Sequence, residues 1–334
     1  VKLIEKRDLV FLAYWAVIQL LRLFPPTTRL KVALSVSRLC ARLWLWLSPS
    51  ETRQTLSNLK LMLAEQDQAD ERDLKQINFE HHVAHVWAML VPDILPYLTK
   101  DQIRQFGEVR GMEHLEAALA LGRGAVLISA HFGSHGYLIV ALLAAYGCPV
   151  TAVSGLESTQ VGSEEPDGSW LYRKLVHPVR MAPRPSLPFL TRGLVLDPKV
   201  FEILKRNEAL WLQGDMHLTV KQALEEKFAL PVSFLWGTAA VRSGPVRLPK
   251  VTGAPVLPTF AVRHGSRLIV EIEPPLALTP GASREALTAD LRAYLERLEA
   301  RILAAPDQWA FTRHENLPHW IRTTPLPEQV AAQD

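Results

Sequence analysis

Gly124-Ala-Val-Leu-Ile-Ser-Ala-His131-Phe-Gly-Ser-His-Gly136 joins a short uninterrupted apolar run to a turn containing two further glycines. A helical pattern follows, from Tyr137 to Tyr146. An apolar run of that length has the pattern of a strand buried on both faces, and such strands belong to parallel sheets covered by helices. The theme recurs downstream. Pro149 to Ser154, Ala209 to Gln213, Val256 to Arg263 and Leu268 to Ile272 read as strands, and Pro198 to Arg206 and Arg284 to Leu303 as helices. Strands alternating with helices predict an α/β fold whose mixed, mostly parallel sheet is flanked by helices. Ser158 to Ser169 and Met181 to Pro188 are rich in Gly, Pro, Ser and charge, and are expected as surface loops.

Upstream the texture differs, which predicts two regions: residues 1–100, helical, and residues 101–334, the α/β part. Glu51 to Leu63 carries Leu56, Leu59 and Leu63 at helical spacing; Asp70 to Leu90 continues the pattern, with Pro92 and Pro96 expected to end it. Leu9 to Phe24 is strongly apolar but contains Gln19 and Arg22 and stops at Pro25-Pro26. A membrane span needs roughly 20 apolar residues, so a short span, a helix lying in the interface and a buried core helix all remain open. No small-residue cleavage site follows, against a removed signal peptide. Arg38, Arg42, Trp44 and Trp46 punctuate the next apolar segment, which favours membrane contact.

Of 334 residues, 48% are hydrophobic and 21% charged, enough for a large core and against disorder as the default. A formal net charge of +3 gives no ground for nucleic-acid binding. Cys40 and Cys148 lack metal-ligand spacing and fit a reducing compartment. His81, His82 and His85 share a predicted helix, but a metal-protease helix needs Glu directly after its first His, where this chain has His82. A structural role is expected there, and no metal. There is no phosphate loop, dinucleotide glycine fingerprint or serine-centred hydrolase elbow.

His131 follows the buried strand directly, where ligands bind in open α/β sheets. Gly133 and Gly136 let backbone approach a substrate, and the following helix start leaves N–H groups that can meet a developing oxyanion. A histidine there can take the proton of an attacking hydroxyl or amine. It can equally be a histidine that satisfies a turn; position alone leaves both open.

The strand-His131-Phe132-Gly133 turn resembles the active-site segment of the bacterial lipid A late acyltransferases, the lauroyl/myristoyl transferase family of the lysophospholipid acyltransferase superfamily. Further segments resemble that family in order: Arg53-Gln-Thr-Leu-Ser-Asn58-Leu59, Trp211-Leu-Gln-Gly-Asp215, Pro231 to Ala240, Thr252 to Pro258 with Arg263, Pro274-Pro-Leu276, and Pro306-Asp-Gln-Trp309 with His314. The resemblance implies transfer of a fatty acyl group from an acyl carrier protein or CoA thioester to a hydroxyl or amine. His131 would be the general base, and Phe132, Gly133, Ser134 and Arg263 would contact substrate. It implies no cofactor beyond the thioester co-substrate, and a peripheral or monotopic place on the cytoplasmic face of the bacterial inner membrane. Arg173, with Lys174, Arg180 and Arg184, could meet a phosphopantetheine or lipid phosphate or an acidic carrier helix, or form a solvated face.

One departure matters. The family places Asp or Glu five positions after the histidine, and here that position is Gly136. Three explanations follow. A carboxylate from elsewhere substitutes, Glu157 and Asp215 being best placed by topology, with His135 a further candidate base. Alternatively the acceptor is an amine that needs less base assistance. Or the site has lost turnover and only binds an acyl chain or carrier. Thioester hydrolysis is a further alternative.

Overall fold

The computed structural model describes residues 6–64, 71–133, 135–148, 150–154, 189–191, 198–215, 217–218, 229–265 and 267–323. Four helices come first: α1 (Lys6–Arg22), α2 (Pro26–Leu47), α3 (Pro49–Met62) and α4 (Glu71–Ile94). Proline at the first turns of α2 and α3 suits a position whose N–H would have no intrahelical partner. Helix α4 runs on through position 92, although Pro92 was expected to end it. Val91, Ile94 and Leu95 are buried there, so packing of that last turn outweighs the proline's lost hydrogen bond.

The α/β part then follows in order: α5 (Lys100–Phe106), β1 (Gly107–Arg110), α6 (Met112–Leu119), β2 (Ala125–Ser129), α7 (His135–Ala145), β3 (Val150–Ser154) and β4 (Phe189–Thr191). After these come α8 (Pro198–Lys205), β5 (Ala209–Gln213), β6 (His217–Leu218), β7 (Ala229–Phe234), β8 (Gly237–Arg242), α9 (Gly244–Thr252), β9 (Val256–His264) and β10 (Arg267–Ile272). The last described elements are α10 (Arg284–Ala304), α11 (Leu317–Trp320) and β11 (Ile321–Arg322). Residues 158–169 and 181–188, expected as loops, lie outside the described residues.

Seven strands form one sheet in the order β1-β10-β9-β2-β5-β3-β4. Only β9 and β10 pair antiparallel in it; the other neighbours run parallel. Every residue of β2 is buried, as its unbroken apolar run requires. From β2 the chain passes first to β3 and β5 on one side and later to β9 on the other, so the strand order reverses at β2. Ligand crevices form outside the carboxyl ends of strands at such a reversal. A smaller sheet carries β11, β8 and β6, with β7 pairing β8 as a hairpin. β1, Gly-Glu-Val-Arg at a sheet edge, is too short for apolar periodicity to mark it, whereas β7 alternates buried Leu230, Val232 and Phe234 with Pro231 and Ser233.

The N-terminal helices share the sheet's core. Ile18 and Leu21 of α1, Leu30 of α2, and Trp87 and Leu90 of α4 pack in one cluster with Leu127 of β2 and Leu142 of α7. Helix α1 is therefore only half a core helix, because Trp15 and Leu20 on it, and Leu23 and Phe24 just after it, stay exposed. Among the described residues no helix is long and apolar enough to cross a membrane.

On the opposite face α10 lays Leu287, Leu291, Tyr294, Leu295 and Leu298 against Ile128, Phe132 and Phe260. Where it crosses the end of β5, a Cβ on Gly214 would stand 2.7 Å from Tyr294 Cε1 and 2.8 Å from Ile128 Cδ1. Gly214→Ala should therefore lower the unfolding free energy by about 1–3 kcal/mol, the usual cost of overpacking. Urea denaturation checks this; an unchanged midpoint would mean that α10 yields without cost.

Candidate active site

Parallel pairing places the site. β2 and β5 are neighbours in the register Ser129↔Gln213, and the amide of Gly214 donates to the carbonyl of Ser129 at 2.7 Å. Two residues beyond each strand end stand His131 and Asp215. Their side chains meet: Nδ1 of His131 lies 2.8 Å from Oδ1 of Asp215. The backbone N–H of His131 donates to Oδ2 of the same carboxylate at 2.8 Å, and the indole N–H of Trp309 donates to Oδ2 at 3.2 Å. Asp215 is 0% exposed, and these donors supply the hydrogen bonds that a carboxylate removed from water requires; the His131 side chain keeps 23% exposure.

Burial alone would push the His131 pKa down. The charge of Asp215 and its hydrogen bond outweigh that, and the imidazole ends above the ordinary histidine value. With Nδ1–H donated to the carboxylate, the basic lone pair sits on Nε2. The ring of Phe311 lies 4.8 Å from the imidazole, centre to centre.

The turn after His131 is held by a C-terminal strap of two short 3₁₀ segments, Pro306–Gln308 and Ala310–Arg313. The amide of Gly133 donates to the carbonyl of Gln308 and that of Ala310 to the carbonyl of His131, both at 2.8 Å. Gly133 has φ +65°, and a Cβ there would stand 1.7 Å from the carbonyl oxygen of Ala261 on β9. Both the left-handed backbone and the contact with β9 demand glycine. The carboxamide of Gln308 bridges the backbone of Arg263, accepting from its N–H at 2.7 Å and donating to its carbonyl at 3.0 Å. Asn58 on α3, wholly buried, donates to the carbonyls of Thr312 and His314 at 2.9 and 3.0 Å. On α4, Nδ1 of His81 lies 3.0 Å from the carbonyl of Asp307.

Of the residues expected at the site, the structure brings together His131, Asp215 and Gly133. Phe132 turns its ring into the core, edge-on to Phe260 at 6.4 Å, because the antiparallel bridge to Trp309 aims it there. Arg263 is also interior: its guanidinium donates to the carbonyl of Gly265 at 3.2 Å and lies 3.7 Å from Glu80 of α4. A substrate role for these two side chains meets that burial, since both are already engaged within the protein. Glu157, Ser134 and Arg173 fall outside the described residues. His81 and His82 are buried, and burial pushes the His81 pKa down to about 3, so it stays neutral. No group of three or more potential metal ligands occurs among the described residues.

Sequence reasoning gave no role to Trp309, Gln308 or Asn58, although each lies in a segment with family character. Nothing in spacing signals a contact between residues 94 positions apart, as Asp215 and Trp309 are.

The profile of the family described as "bacterial lipid A biosynthesis acyltransferase" matches residues 3–315. A phosphatidylinositol mannoside acyltransferase of Mycobacterium tuberculosis is 26% identical over 213 residues, 64% of this chain and 60% of that protein. Its counterpart in Mycolicibacterium smegmatis is 28% identical over 231 residues, 68% and 66% of the two chains. The matched region thus spans 60% of the first relative's length.

The electrostatics give a titration test. Observed by NMR in ring-labelled protein, His131 should titrate above pH 6.5. In Asp215→Asn the carboxylate charge that opposes burial is gone, and the midpoint should fall. The raised value also sets the sign of the linkage. The stabilisation from protonated His131 is complete below the unfolded-state value of about 6.5 and is lost as pH rises through the folded-state value. A midpoint unmoved by Asp215→Asn would contradict this account.

Proposed function

The chain belongs to the bacterial lipid A biosynthesis acyltransferase family, and from that premise we propose that it transfers a fatty acyl group from a thioester to a hydroxyl or amine on a lipid acceptor. The observation that carries this reading is the His131–Asp215 pair. It supplies across two strands the carboxylate that position 136, a glycine, does not.

In this reading Nε2 of His131 takes the proton of the acceptor hydroxyl as its oxygen bonds to the thioester carbonyl carbon. An amine acceptor would attack through its own lone pair and lose its proton to Nε2 afterwards. Asp215 holds the ring in the tautomer that leaves Nε2 basic and stabilises the imidazolium that forms. The carbon–sulfur bond then breaks, and the imidazolium returns its proton to the departing thiolate. The amides of His131 and Gly133 are committed to Asp215 and Gln308. A developing oxyanion would therefore need donors other than these two amides.

The acyl donor is an acyl carrier protein or acyl-CoA. The relatives' names point to glycolipid acceptors, which fits a lipid as the acceptor class here. A lipid substrate calls for contact with a membrane surface. Leu39, Leu43, Trp46 and Leu47 are all exposed on α2 at spacings that form one ridge, with Lys31, Arg38 and Arg42 on the same helix. An apolar ridge with an interfacial Trp and basic neighbours suits a helix lying on an anionic leaflet, peripheral on the cytoplasmic face.

Two outcomes test the reading. With acyl thioester and a panel of lipid hydroxyl and amine acceptors, His131→Ala should slow transfer about 10²- to 10⁴-fold, the usual contribution of a positioned general base. Equal rates in variant and parent would remove His131 from the chemistry, and free fatty acid without acceptor would indicate hydrolysis. In flotation with vesicles containing anionic phospholipid, Leu43→Ser with Trp46→Ser should shift the protein from the lipid fraction to the soluble one. Unchanged flotation would exclude the α2 ridge as the membrane contact.

A further inference from the structure

Trp309 combines two properties that packing alone does not require. It is 0% exposed, set edge-on between Phe234 and Phe311 at 5.8 and 5.6 Å, so its ring fills a core position that phenylalanine could occupy. Yet its indole nitrogen is directed at Oδ2 of Asp215. The strap that carries it is fixed on both flanks, by the two backbone bonds to the His131 turn and by the carboxamide of Gln308 on Arg263. The donor is thus delivered by an element whose position is set independently of the carboxylate.

We propose that Trp309 is a positioning residue for the reaction: its N–H pins Oδ2 of Asp215 so that Oδ1 faces Nδ1 of His131. This rests on the reading of His131 and Asp215 as the proton-transferring pair. A carboxylate is free to rotate about Cβ–Cγ, and with no carboxylate at position 136 the imidazole depends on one brought from another strand. Holding Oδ2 from a second direction, beside the His131 amide, restricts that rotation. An indole is suited to the task because it donates one hydrogen bond, accepts none and does not titrate, so it never competes for the proton in transit. Tyrosine or histidine at 309 would bring an acceptor or a second titrating group to the carboxylate.

The test uses full-length protein labelled with ¹⁵N-tryptophan, the 309 indole resonance being assigned by its loss in Trp309→Phe. In the parent protein that indole proton should exchange slowly and shift with pH, with an inflection at the midpoint of His131; the inflection should vanish in His131→Gln. Trp309→Phe should displace the His131 midpoint and reduce kcat about 10- to 100-fold with KM little changed, a range borrowed from outer hydrogen-bond partners at metal sites. In an Asp215→Asn background the same substitution should leave the His131 midpoint where it is. A purely structural tryptophan would show no inflection, and Trp309→Phe would keep the parental midpoint and pH–rate profile; either result overturns the proposal. If Trp309→Phe does not fold, the indole resonance is assigned instead by its cross-peaks to the rings of Phe234 and Phe311, and its titration in the parent decides. Failure of the general-base reading is separate: it would show as full transfer by His131→Ala, whereas loss of transfer there with a parental Trp309→Phe profile would reject only the role of Trp309.

Discussion

A carboxylate removed from water is tolerated only where hydrogen-bond donors converge on it, and Asp215 is where this fold makes them converge. The end of β2 brings the His131 ring and amide, the end of β5 brings the acid, and the C-terminal strap brings Trp309. Each of these segments is held in turn by something distant. Gly214 lets α10 close over the strand ends, Tyr294 donates to the carbonyl of Ser129, and Asn58 of α3 ties down the far end of the strap. Misplacing any of them would leave a buried charge short of donors, so the site and the fold are stabilised together.

The parallel sheet explains how a chain without the in-turn carboxylate can still present a histidine–carboxylate pair. A carboxylate in the turn would depend on the path of five residues. One on the neighbouring parallel strand depends on register, and the Ser129↔Gln213 pairing fixes that at the end of two buried strands. The price is that the acid is fully enclosed and needs its own scaffold, which the strap supplies.

Much of this was legible in the residues. The apolar runs at 125–129 and 209–213 specified buried strands, and the position of His131 after the first marked the crevice. Asp215 was one of two topological candidates for the partner. Finding Asp215 beside His131 required knowing that β5 lies next to β2, and local sequence does not encode strand order; Glu157 lies outside the described residues. The strap was illegible for a related reason: its function consists of hydrogen bonds to residues 45 to 256 positions away, made largely by backbone groups that every residue carries. Helix α4 outran its proline because burial of its last turn, a tertiary effect, outweighed a local preference. The N-terminal helices could be read as core or as interface; one face joins the sheet's cluster, so the core reading holds for it, while Leu39, Leu43 and Trp46 stay exposed.

The central claim is that His131 and Asp215 act as one unit. A double-mutant cycle on the transfer rate, comparing His131→Ala, Asp215→Asn and the combination at fixed pH, tests it most directly. Groups acting as a unit are strongly non-additive, so the double variant should be about as slow as His131→Ala alone. If the two losses multiply instead, the residues contribute independently and this account of the site is wrong.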